Sequence, residues 1–159
     1  MPSFDPTPEM MAQLLPLAAA WAEEQEAHIL ARGAALPAVS LRDAAEIGVR
    51  HPERVRVRAV PGIPMPEQPL LRSVCEATGF LGPLTAGLSL RYGIFVHASA
   101  AGDRSLVAHE LVHTAQYERL GGIAPFLRQY LQECFTIGYP DAPLEQEAIA
   151  VSARVLQGA

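Results

Sequence analysis

Ser105-Leu-Val-Ala-His109-Glu110-Leu-Val-His113-Thr-Ala-Gln116-Tyr117-Glu118-Arg119 is the stretch whose reading decides the fold of this 159-residue chain. His109 and His113 stand four residues apart, so on a helix they project from one face and their imidazole nitrogens can share a tetrahedral metal ion. Glu110 follows about 100° round the axis, close enough to a metal-held water to take its proton. On the other side Val107, Ala108, Leu111 and Ala115 form an apolar face that anchors the helix in a core. One side is held while the other presents ligands.

A catalytic zinc takes three protein ligands and keeps one position open for water. The metzincin pattern continues with Gly three residues after the second His and a further His three residues later. Gln116 and Arg119 occupy those places, so that class is excluded. Glu118 lies five residues past His113, roughly 140° away round the helix, and does not point at the same ion. The remaining acidic candidates lie downstream, in Pro143-Leu-Glu145-Gln-Glu147-Ala148, at the start of the last helical stretch.

Here the sequence resembles the gluzincin group of zinc metallopeptidases, whose third ligand is a Glu on a separate helix C-terminal to H-E-x-x-H. In several such families that Glu opens an E-x-x-A-D pattern. Glu145-Gln-Glu147-Ala148-Ile149 matches through the Ala and carries Ile149 in place of the Asp, a residue that usually orients a histidine ligand. The resemblance covers chiefly residues 88–150. It implies a zincin-like α+β fold, a small mixed sheet packed on helices, with His109, His113 and Glu145 on zinc and Glu110 as general base. Glu145 is preferred to Glu147 as third ligand; another group, a backbone carbonyl or Glu147, must then do the orienting. Tyr117 and Tyr139 are the candidate donors to a tetrahedral oxyanion, and His97 is a candidate to line the cleft.

Outward from the motif, residues 9–31 read as a helix stopped at Gly33, and Ser40 as the N-cap of a short helix to residue 49. Residues 54–60 alternate strictly, which predicts a half-buried strand with Arg54, Arg56 and Arg58 on a solvated face. A proline-rich loop leads to a short helix over 70–78. Residues 88–97 read as a strand pair or one strand bulged at Gly93, with 94–96 the edge that an extended peptide would join. Helices over 105–120, 125–135 and 143–156 complete a single domain, 1–159, whose N-terminal helical part is 9–50.

Composition bounds the rest. Half of the residues are hydrophobic, the basic residues are all arginine, and the net charge is −5, which excludes a general nucleic-acid binder. The apolar run at 10–22 lacks a preceding Lys or Arg and continues into an amphipathic pattern, so it reads as a structural helix and not an export signal. No window reaches the ~18–20 apolar residues of a membrane span. A cytoplasmic location is the default expectation. Cys75 and Cys134 read as buried thiols, with one disulfide between them as the alternative. The expectation is a zinc metallopeptidase acting on a peptide or protein, with a catalytically weak zinc-binding regulatory domain as the alternative. Oligomeric state is not legible.

Overall fold

The computed structural model describes residues 6–79 and 81–158 and contains six helices and a four-stranded sheet among them. In chain order these are α1 (Pro8–Arg32), β1 (Ala34–Ala35), α2 (Ala38–Ile47), β2 (Arg56–Val60), α3 (Pro69–Thr78), β3 (Gly87–Leu90), β4 (Gly93–His97), α4 (Arg104–Leu120), α5 (Ile123–Thr136) and α6 (Pro143–Gln157). Strand order is β1-β2-β4-β3, with β2 and β4 parallel and the outer pairs antiparallel. This is the zincin-like α+β architecture, with the motif in α4 and the downstream Glu in α6.

The 10–22 stretch lies inside α1, which buries Leu14, Ala18, Ala22, Glu26 and Ile29 at helical spacing. None of the described helices is long and apolar enough to cross a membrane. The part expected to be helical also carries β1, which pairs with β2 and completes the sheet.

Helices cover both faces of the sheet. Ile29 of α1 packs with Val60, Leu90 and Phe95 on one face, while Ile94 and Val96 pack with Val107 and Leu111 of α4 on the other. The half-buried reading of residues 54–60 holds: Val55 and Val60 are buried, Arg54 and Ala59 are exposed, and the residues between are partly exposed. Arg56 and Arg58 are only partly exposed, the Arg56 guanidinium donates to the carbonyls of Glu53 and Val55, and Arg54 lies over the Tyr92 ring. Alternation marks the two faces of a strand, but it does not say which is wet.

Two further expectations change. Ser40 is buried inside the first turn of α2, which starts at Ala38 after Pro37. Residues 94–96 form the interior of β4, between β2 and β3, so the edges are β1 and β3. The 88–97 segment is a tight hairpin turning at Arg91 and Tyr92, and Gly93 pairs regularly with Leu90. Arg91 has φ 63°, a left-handed value that a non-glycine residue adopts only when held there. Glu26 grips its guanidinium, and Thr114 of α4 donates to its carbonyl at 2.7 Å. The hairpin is thereby tied to α1 and to the motif helix together.

Candidate metal centre

The motif helix begins at Asp103, whose carboxylate accepts from the amides of Ser105 and Leu106, and ends at Gly121 in a left-handed conformation. Its apolar face is as expected: Val107, Ala108 and Leu111 are buried. α6 packs along α4. Its first turn is fixed by Pro143 and by Glu133 of α5, which accepts from the Leu144 amide at 3.2 Å. The next residue is Glu145, 2% exposed, and the helix start favours its negative charge.

Glu145 meets both histidines. Nε2 of His109 lies 3.2 Å from one carboxylate oxygen and Nε2 of His113 lies 3.0 Å from the other. One ligand atom from each of the three residues falls within 4.8 Å of the others. Donor atoms of a tetrahedral site with bonds of about 2.0–2.1 Å stand about 3.3 Å apart, so the spacing suits one zinc ion. Oε2 of Glu145 supplies a second observation: it is buried and has no hydrogen-bond partner. An orphaned carboxylate oxygen facing imidazole nitrogens fits a cation. Two imidazoles and a carboxylate form a donor set that zinc accepts, and their arrangement matches the gluzincin ligand cluster.

The electrostatics agree. Burial opposes ionisation of Glu145, but the imidazoles of His109 and His113 beside its two oxygens outweigh it and hold the carboxyl well below the usual range. Burial likewise opposes protonation of His113, and the bond to Glu145 reverses that effect and raises its pKa. Glu110 is different: burial raises its pKa, only partly countered by the neighbouring His113 and His109. Its carboxylate presses on β3 so closely that a Cβ at Gly87 would stand 2.7 Å from Oε1. A larger residue at Gly87 would require the Glu110 carboxylate and the Leu106 side chain to move.

The other expected residues divide. Glu147 is not at the cluster; its carboxylate takes two 2.8 Å bonds from Arg119 and a 2.9 Å bond from the Gln116 amide. Glu118 faces away, accepting from the Arg50 and His51 amides and the Tyr92 hydroxyl. Tyr117 is 1% exposed, stacks on Phe126, and donates its hydroxyl to the Ser89 carbonyl at 3.0 Å. Tyr139 stands exposed at the cleft rim. His97 accepts from the Ser99 amide at the end of β4 and does not line the cleft. Cys75 and Cys134 are free, and burial pushes their pKa values up to about 11 and about 12.

Sequence reading missed two residues. Tyr130 of α5 donates its hydroxyl to Oε1 of Glu145 at 2.7 Å and sets its ring edge-on to His113. Nothing in the sequence ties α5 to the site, because that contact depends on tertiary packing. The Gln116 amide oxygen accepts from Nδ1 of His113 at 2.8 Å. Its signal was legible, since a residue three positions beyond a ligand lies on the same helix face. Comparison with protein-family models, with curated proteins and with solved structures returned no match.

Proposed function

We propose that this chain is a zinc-dependent metallopeptidase, with His109, His113 and Glu145 holding the metal and Glu110 acting as general base. The convergence of Glu145 from α6 with the two α4 histidines, beside Glu110 and inside one cleft, carries this reading. The cleft encloses about 1370 Å³ between β3, α4, α5 and α6 and extends toward α1 and α3. Four of the exposed large apolar side chains, Leu84, Ile137, Tyr139 and Ile149, stand along it. That lining supports a peptide or protein substrate with apolar side chains.

When bound, the ion supplies a Lewis acid that polarises the scissile carbonyl and makes water acidic enough to attack near neutral pH. Glu110 takes the proton of the attacking water on its carboxylate and delivers it to the leaving amine. Burial raises its pKa, which makes the carboxylate a stronger base toward the water proton. Tyr117 serves by position, fixing β3 through the Ser89 carbonyl. The oxyanion donor proposed is Tyr139, whose side chain is exposed at the rim.

The burial of Glu110, 5% exposed, favours a second reading: a zinc-binding domain with little turnover. Zinc stoichiometry and peptide-library cleavage, measured on wild type and Glu110→Gln, separate the two. A peptidase has about one zinc in both proteins and cleavage lowered by about 10²–10⁴-fold in the variant. Zinc in both without cleavage by either would move the assignment to the binding domain.

A further inference from the structure

We propose that Gln116 is the positioning residue of the centre: it fixes the tautomer of His113 and holds that ligand in register with Glu145, with Glu147 and Arg119 as its backing. The proposal rests on the metal reading above and concerns a role that, in E-x-x-A-D sequences, the resemblance assigns to an Asp which this chain lacks.

The argument begins with the amide. Nε2 of Gln116 lies 2.9 Å from the Leu144 carbonyl and 2.9 Å from Oε2 of Glu147. Both partners are acceptors only, so the NH₂ must face them, and both of its hydrogens are used. The amide oxygen therefore faces His113, where it stands 2.8 Å from Nδ1. An oxygen there accepts, so Nδ1 carries a hydrogen, and Nε2, the nitrogen that faces Glu145, is the one whose lone pair a metal would take. The orientation follows from the partners and not from a choice of rotamer.

Glu147 keeps the amide from turning over. Its carboxylate is gripped by the Arg119 guanidinium through two 2.8 Å bonds, so it stays an acceptor. Gln116 is itself fully buried, where a reversed amide would set its oxygen against two acceptors without water to relieve them. No other side chain of similar length offers one acceptor and two donors in this geometry. A carboxylate could accept from His113 but would confront Glu147 and the Leu144 carbonyl with no hydrogen between them.

The Leu144 bond adds a second function. Leu144 precedes Glu145 in the first turn of α6. One side chain thus holds the α4 ligand by its ring and the α6 ligand by the adjoining backbone. Departure from the E-x-x-A-D pattern is accounted for by moving the orienting group from α6 to α4, three residues past the ligand it serves.

Zinc affinity, read by competition with a chromophoric chelator, tests the assignment on the intact chain. Gln116→Leu and Gln116→Glu are expected to weaken zinc binding by about 10–100-fold. Adding Glu147→Gln to Gln116→Glu restores an amide donor across from the new carboxylate and is expected to recover about tenfold of that loss. Long-range ¹H–¹⁵N spectra of the zinc-loaded wild type should show the His113 hydrogen on Nδ1. Unchanged zinc affinity in both single variants, no recovery in the double variant, or a hydrogen on Nε2 would overturn the proposal. Should the Gln116 variants not fold, Glu147→Ala alters a partly exposed side chain and still releases the amide; weaker zinc binding is expected, and an unchanged affinity refutes the ladder. A wild type that binds no zinc would instead remove the metal reading itself.

Discussion

Glu26 and Glu145 are both buried carboxylates, at 4% and 2% exposure, and the protein treats them in opposite ways. Glu26 is satisfied by the chain itself: Arg91 donates to both oxygens at 2.9 and 2.6 Å, and the Tyr92 amide adds a third bond at 2.9 Å. Its cation is permanent. Glu145 instead faces two imidazoles and a phenol, and one of its oxygens has no hydrogen-bond partner. Around Glu26 the arrangement is complete and locks a hairpin; around Glu145 it leaves one oxygen open in a cluster that fits a cation. Buried charge alone does not distinguish framework from site, whereas the fixed or exchangeable nature of its partner does.

Exchanging each for alanine gives the largest expected effects and the most direct way to break this contrast. Glu26→Ala leaves Arg91 unpaired beside the core, a change that costs about 3–5 kcal/mol when the remaining charge is buried. Because Arg91 is about a third exposed, the low end applies. Zinc stoichiometry should be unaffected. Glu145→Ala should lose zinc, and with it the stabilisation of about 4 kcal/mol that a ligand at a thousand times its Kd confers. Thermal unfolding with zinc and with chelator reads both. Zinc loss in Glu26→Ala, or a zinc-dependent shift retained in Glu145→Ala, would dissolve the distinction.

Glu110 stands between the two cases, buried yet neither cation-paired nor at the ligand cluster, and its placement depends on Gly87. Gly87→Ala sharpens the comparison. The added methyl meets the Glu110 carboxylate at 2.7 Å and Leu106 at 2.9 Å, so something must shift. Overpacking of this kind costs about 1–3 kcal/mol. Cleavage should fall while zinc affinity holds, because the proposed mechanism makes the displaced carboxylate the base and not a ligand. A parallel loss of zinc would place Glu110 within the ligand set.

These assignments differ in how far the sequence reveals them. His109, Glu110 and His113 are one local pattern on one helix, and Glu145 lies in the next strongly marked carboxylate-bearing turn. Local periodicity and a family resemblance reach that far. The sheet edge was misplaced because strand order is a tertiary fact: 94–96 looks like any apolar strand, and only the pairing with both β2 and β3 makes it interior. Arg54 is exposed as read, but neither the Tyr92 ring under its guanidinium nor the carbonyls that hold the partly exposed Arg56 can be foreseen from alternation. Tyr130 is invisible without the packing of α5 on α4. Gln116 was visible by spacing, yet its meaning depends on Leu144 and Glu147 lying across from it.

Asp43 supplies a third carboxylate and the smallest effect, one that titrates. It sits on α2 and accepts 2.8 and 2.7 Å bonds from Arg104, the first residue of α4. Arg104 holds the Asp43 carboxyl below its ordinary pKa, although burial pushes the other way. A carboxyl whose folded pKa is depressed stabilises the fold fully above its unfolded value, about 4, and loses that contribution as pH falls through the folded one. The stability difference between wild type and Asp43→Asn should therefore stay constant from pH 8 to 5 and shrink below about pH 4. Arg104 is a third exposed, so solvent screens the pair and salt reduces the difference. Urea unfolding across that range, at low and high salt, measures it. A difference indifferent to both pH and salt would mean that Asp43 supports α4 by shape alone, and the start of the motif helix would then join Glu26 as framework whose charge has a fixed partner but no titratable role.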